Sequence, residues 1–181
     1  MKLLIITQKV DRDDPILGFF HRWIIEFAKY FESIIVICLE EGLYELPANV
    51  RVLSLGKEHN RSQVQYFLRF YKYIWNEHNN YDAVFVHMNQ IYVILGGILW
   101  RLWSKKISLW YTHKNVTFSL KMAEKLVQKV FSASKESFRL SSKKLLVTGH
   151  GIDTDYFVPS PSNILNNSLN IITVGRIAPV K

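Results

Sequence analysis

Two short runs hold the side chains best placed to do chemistry. His87-Met88-Asn89-Gln90 follows an apolar, β-rich stretch at 82–87, and His113-Lys114-Asn115 follows another at 106–112. Each sets an imidazole beside amide or ammonium donors at the end of a strand. A third run, residues 170–181, reads N-I-I-T-V-G-R-I-A-P-V-K. There a β-rich stretch is followed by Gly175 and Arg176, with Lys181 five positions later. A guanidinium fork and an ammonium point charge suit a diphosphate. Gly18 is the fourth candidate, where the loop 8–17 meets a helical pattern. A glycine there lets a phosphate or sugar approach the first amides of a helix.

Other chemistries lack their signatures. There is no G-x-G-x-x-G for an NAD-type dinucleotide and no G-x-S-x-G nucleophile elbow. The remaining histidines, His21, His59, His78 and His150, have no H-E-x-x-H spacing or cysteine partner, so no metal is expected. Asp11, Asp13 and Asp14 could hold hydroxyls or a metal, but without spaced partners they read as a solvated loop.

The elements that must carry these residues alternate. Strands are expected at 2–7, 33–39, 50–55, 82–87, 106–112, 129–133 and 144–148, most of them continuously apolar, as strands buried on both faces are. Helices are expected at 18–31, 61–79, 89–103 and 116–127, with a short one over 134–140 capped by Ser134. Val64, Phe67, Leu68, Tyr71 and Trp75 repeat at helical spacing and read as the core stripe of the second helix. The stretch 89–103 is apolar almost all round, which predicts burial, and Gly96 and Gly97 predict close approach to a neighbour. This alternation argues for an α/β, doubly wound, mostly parallel, Rossmann-like sheet. In such sheets ligands bind outside the carboxyl ends of the strands, which is where His87, Asn89, His113, Lys114 and Asn115 fall.

With 181 residues, 49% of them apolar, the chain has ample material for a core. The single cysteine, Cys38, lies in an apolar run; no disulfide framework follows, and a reducing compartment is expected. The N-terminal apolar run is too short for a signal peptide, and the longest, 91–100, is half a bilayer span. A cytoplasmic protein is therefore expected. The net charge of +8 is concentrated: residues 98–144 hold eleven Lys or Arg against two acids, Glu124 and Glu136. With Trp100, Trp103 and Trp110 in or beside this segment, peripheral contact with an anionic membrane face is an open expectation.

A resemblance adds to this reading. K-L-L-V-T-G-H-G-I-D-T-D-Y-F-V-P at 144–159, followed by I-I-T-V-G-R-I-A-P-V-K, resembles the domain junction of family 4 glycosyltransferases of the GT-B fold. W-Y-T-H-K at 110–114, F-S-A-S-K-E-S-F at 131–138 and Y-D-A-V-F-V-H at 81–87 resemble that family's histidine turn, strand-and-serine element and central strand, in the same order. The resemblance implies a retaining transferase that moves a sugar from a nucleotide-sugar donor to a glycan or lipid-linked acceptor, without a cofactor or metal. It implies that residues 1–158 are the N-terminal, acceptor-side half of a GT-B architecture. Residues 159–169 would be a linker, and 170–181 the first strand of a truncated donor-binding domain. By position, Arg176 and Lys181 resemble the pair that grips the donor diphosphate, Gly18 the glycine loop facing it, and His113 the catalytic histidine near the transferred sugar. His87, Asn89, Lys114 and Asn115 are the acceptor-side candidates. Where the family often pairs glycines, this chain has Leu17 and Gly18. The alternative is a nonenzymatic basic module binding a membrane surface or nucleic acid, although no nucleic-acid motif accompanies the charge.

Overall fold

Unbroken runs of Val, Ile and Leu become strands buried on both faces, because each side chain meets a helix layer on one side or the other. The computed structural model describes residues 1–152, 154, 155, 157 and 158. Its compact units are Met1–His150 and Gly151–Lys181. The expected linker, the strand at 170–181, and Arg176 and Lys181 lie outside the described residues.

The first unit carries β1 (Lys2–Val10), α1 (Gly18–Ala28), β2 (Ser33–Glu41), β3 (Val50–Ser54), α2 (Gln63–Asn76) and β4 (Ala83–His87). It continues with α3 (Gln90–Leu102), β5 (Lys106–Trp110), α4 (Phe118–Leu126), β6 (Lys129–Ser132) and β7 (Leu145–Val147). The strands form one sheet in the order β3-β2-β1-β4-β5-β6-β7, and every pair is parallel. This is the expected doubly wound α/β sheet. Ile5 pairs with Val36 on β2 and Phe85 on β4, which sets β1 between those two strands.

The two-residue period of β1 sorts its side chains into two cores. Leu4 and Ile6 join Val84, Phe70, Ile74 and Trp100 under α2, α3 and α4. Leu3 and Ile5 join Phe85, Cys38, Phe20 and Ile24 under α1. Cys38 is fully buried, and that burial pushes its thiol up to about 12, so it is an inert core residue. The starts of α2, α3 and α4 are capped by side chains. Ser62 and Gln65 close a capping box on α2, and Asn89 and Thr117 accept from the first-turn amides of α3 and α4.

Four expectations need correction. β1 runs on to Val10, pairing Lys9 with Glu40, so the loop before α1 is shorter than 8–17. The residues α2 buries fully are Phe70 and Ile74; Val64, Phe67, Leu68 and Trp75 are exposed, because that helix has apolar side chains on both flanks. α3 is buried on one side only, with Ile98 and Leu102 exposed. Residues 134–140 form no helix: Ser134 Oγ accepts from the Ser137 amide at 3.2 Å in a single turn, and Phe138 then makes a parallel bridge to His113. Phe138 is buried against the Tyr111 ring, so its packing, and not helix propensity, sets the backbone here.

Candidate functional site

β1 connects through α1 to β2 on one side, and the chain crosses through α2 to β4 on the other. The strand order therefore reverses between β1 and β4, and the crevice outside their carboxyl ends is where a doubly wound sheet takes its ligands. The residues bounding that edge fall into three groups.

The first is the end of β4. His87 is fully buried on the α1 side of the sheet. Its Nδ1 lies 3.2 Å from Thr7 Oγ1 on β1, and its ring stacks on Phe20 with centroids 3.8 Å apart. Phe19 and Trp23 approach it edge-on and tilted. Burial without a charged partner lowers the His87 pKa to about 3, so the ring is neutral at physiological pH. Its Nε2 is buried and has no hydrogen-bond partner. The strand ends at Met88, whose φ of 61° turns the chain into α3. Met88 N–H donates to the Trp110 carbonyl at 2.8 Å, and Thr112 Oγ1 donates to its sulfur. Asn89 uses its side-chain oxygen to cap Ile91 N–H at 3.2 Å. His87 and Asn89, expected as acceptor contacts, thus have structural partners. Sequence marked the strand end but not the side toward which the imidazole turns.

The second group follows β5. His113, Lys114 and Asn115 are all exposed. The His113 ring lies 6.2 Å from that of Tyr111, whose hydroxyl donates to the Asn115 carbonyl. The backbone of this loop is anchored by the bridge to Phe138 and by the Thr117 cap, while its side chains project into solvent.

The third group is the β1–α1 junction. Lys9 Nζ sits 2.9 Å from Asp14, 3.1 Å from Asp11 and 3.2 Å from Glu40, and Glu40 reaches Lys57 at 2.8 Å. Those carboxylates, Asp14 first, hold the Lys9 ammonium above the usual lysine range. Asp14 is lowered to about 2, chiefly by the Leu17 amide, then by Lys9 and the Ile16 amide. The acidic loop is therefore an ion-paired clasp, which corrects its reading as a solvated one. Gly18 is part of the clasp. Its N–H donates to the Asp14 carbonyl at 3.0 Å, and a β-carbon on it would lie 2.8 Å from the Arg12 carbonyl. The Arg12 carbonyl thus fills the side of Gly18 where a β-carbon would point, and the Asp14 carboxylate already accepts from Ile16 and Leu17 at the helix entrance.

Sequence reasoning missed a groove of about 670 Å³ beside this junction, lined by Arg12, Gly18, His21, Arg22, Glu45 and Pro47 among others. His21 Nε2 accepts from Glu45 N–H at 3.1 Å, and burial lowers its pKa, so a neutral imidazole ties the β2–β3 loop across α1. Spacing alone gives no signal for a contact between residues so far apart. Among the described residues, no three His, Cys, Asp or Glu side chains converge to hold a metal ion, and no helix is long and apolar enough to cross a membrane.

No family model matches the sequence, and no curated protein matches it. Solved structures do. HepE of Anabaena in complex with UDP-glucose aligns with a TM-score of 0.62 at 18% identity, over 90% of this chain and 47% of that one. The lipopolysaccharide outer core galactosyltransferase WaaB aligns at 0.52 and 11%, over 81% and 45%. UDP-GlcNAc 2-epimerase from Methanocaldococcus jannaschii aligns at 0.53 and 15%, over 81% and 45%. The chain thus has the Rossmann-like fold found in GT-B glycosyltransferases and related epimerases, and it spans about half the length of these structures.

Proposed function

We propose that the chain is the acceptor-side half of a retaining, GT-B glycosyltransferase resembling family 4, which transfers a sugar from a nucleotide-sugar donor to a glycan or lipid-linked acceptor. The observation that carries this reading is the edge of β5. Beside the switch point of an all-parallel 3-2-1-4-5-6-7 sheet, His113, Lys114 and Asn115 stand exposed on a loop whose backbone is anchored at both ends. The side chains are free to meet a substrate while the scaffold fixes their origin. HepE, a structural neighbour, is in complex with UDP-glucose, which supports a nucleotide-sugar donor.

In this proposal His113 contacts the transferred sugar, with Lys114 and Asn115 on the acceptor side. Breaking the bond from sugar to diphosphate builds negative charge on the leaving group, and Arg176 and Lys181 would stabilise it without a metal or other cofactor. Such stabilisation needs cations held in place in a dry cleft, so a second α/β unit must supply most of the donor site. The 181-residue chain alone is then expected to be inactive. The reaction would take place in the cytoplasm.

The test is a donor screen on a longer protein that includes a second unit, offering UDP- and GDP-sugars with and without acceptor extracts. Release of nucleoside diphosphate, strongly reduced by His113→Ala, is the expected result. Interconversion of sugar epimers without transfer would instead favour an epimerase, a reaction named for another neighbour of the same fold.

A further inference from the structure

We propose that the outer surface of the layer formed by α2, α3 and α4 docks on an anionic lipid bilayer. The three helices lie side by side on one face of the sheet. Tyr71 OH of α2 donates to the Leu95 carbonyl of α3 at 2.9 Å, and Trp75 meets Trp103 edge to face at 5.6 Å. Gln90 at the start of α3 donates to Ser119 of α4 at 3.1 Å, and Gly97 lets the Leu126 side chain come close. Across this joined surface large apolar side chains face outward on all three helices. Leu68 and Trp75 on α2, Ile98 and Leu102 on α3, and Phe118 on α4 are each at least 60% exposed. An exposed apolar surface spread over three adjacent helices is unusual for a free domain and marks an interaction face.

The charge on the same layer names the occupant. α2 and α3 contain no acidic residue, and the single one of α4, Glu124, is turned to Ser142 and Lys144. Lys72, Arg101, Lys121 and Lys125 are exposed. Apolar side chains that enter the acyl boundary, flanked by cations that meet headgroup phosphates, are the composition of an interfacial surface. A second copy of the chain is the poorer fit, because a two-fold contact would press two unrelieved basic sets together. The tryptophans of the basic segment are not what makes the surface. Trp100 and Trp110 are buried, and Trp103 is half-buried. The helices begin at the carboxyl edge of the sheet, so a bilayer on their outer face passes beside the loop that carries His113. The inference stands on this surface alone and holds whatever reaction the protein catalyses.

The test is cosedimentation of the chain with vesicles of phosphatidylcholine, alone or mixed with phosphatidylglycerol. Binding to the mixed vesicles, weakened by salt, is expected. The double variants Ile98→Glu/Leu102→Glu and Lys121→Glu/Lys125→Glu should each bind at least about tenfold more weakly, with circular dichroism unchanged because the altered side chains face solvent. Phe118→Ser, on a different helix from the first pair, should weaken binding in the same direction and guards against misfolding of either double variant. The proposal is overturned if the unaltered chain stays in the supernatant with mixed vesicles, or if folded variants sediment as it does. It is equally overturned if sedimentation velocity shows a dimer that Ile98→Glu dissociates, which would assign the face to a second copy.

Discussion

His87 and His113 close neighbouring strands of one sheet, yet they sit in opposite surroundings. His87 is stacked on Phe20, bonded to Thr7 and fully buried; His113 is exposed, on a loop held by its backbone. A residue's position at the carboxyl edge therefore does not decide its use. At the end of β4 the imidazole turns into the α1 core and has become part of the packing. Beyond β5 the chain has already left the sheet, three residues past Trp110, and the imidazole is available to a ligand. The first histidine should govern stability and the second turnover.

The largest expected effect tests the exposed member. In a longer, active protein, His113→Ala should reduce turnover by about 100-fold, the scale of a lost stabilising contact in a transition state. Thermal unfolding of the same variant should move little, within about 0.5 kcal/mol, as for an exposed site. Turnover close to that of the unaltered protein would remove His113 from the reaction and break the comparison on its functional side.

The buried member should show itself in acid. The folded-state pKa of His87 is lowered to about 3, below its unfolded value near 6.5, so the unfolded chain binds the proton more readily. The neutral ring's contribution is complete above pH 6.5 and is lost as pH falls toward 3. His87→Leu removes this titration at the cost of Thr7's partner, about 1 kcal/mol at neutral pH. Chemical unfolding at a series of pH values should give a flatter profile between pH 6.5 and 4 in the variant. A profile that keeps its slope would mean that another group carries the acid sensitivity.

How much of this was legible in sequence follows from the physics of each signal. All seven strands were, since burial on both faces forces continuous apolar runs that few other elements tolerate. The inward face of α2 was not. Phe70 and Ile74 on one side compete with Val64, Phe67, Leu68 and Trp75 on the other, and helical spacing favours the larger set, which faces water. Exposed apolar residues at helical spacing look like a core stripe until packing is seen. The run at 87–90 was legible as a strand end, but Met88's left-handed backbone redirects the chain, and no alternation rule survives that turn. The clasp around Lys9 depended on β1 reaching Val10, which placed Lys9 opposite Glu40. Charged residues at the tip of a strand hide its end from a pattern of hydrophobicity.

At Gly18 the comparison sharpens from the side of the helix that covers His87. Alanine is the better helix former, by up to about 1 kcal/mol, so propensity alone predicts stabilisation. Its β-carbon would instead stand 2.8 Å from the Arg12 carbonyl, a backbone atom fixed by the Arg12 N–H bond to the Leu43 carbonyl. Gly18→Ala should therefore destabilise, by about 1 to 2 kcal/mol in denaturant unfolding, as the loop shifts to relieve the contact. A more stable variant would show that the loop yields freely and that the glycine is spare for a ligand.

The smallest effect belongs to the clasp. Lys9 faces three carboxylates with its side chain 22% exposed, so water screens part of the attraction. Lys9→Met should cost about 0.5 kcal/mol at neutral pH and low salt, and less as salt rises. The pH dependence carries a defined sign. Asp14 is lowered to about 2, and Asp11 and Glu40 are lowered too, so their contribution is present above the ordinary carboxylate range and is lost as pH falls toward 2. Lys9 is raised, so its contribution persists through neutral pH and is lost only in strong alkali. Without Lys9 the carboxylates lose their shared cation, and the loss of stability below pH 4 should become shallower. This acid step lies below the one assigned to His87, and Lys9→Met should leave the region from pH 6.5 to 4 unchanged. If it flattens that region instead, the clasp and the His87 pocket unfold as one unit, and the buried histidine and the loop beside it cannot be treated as separate devices.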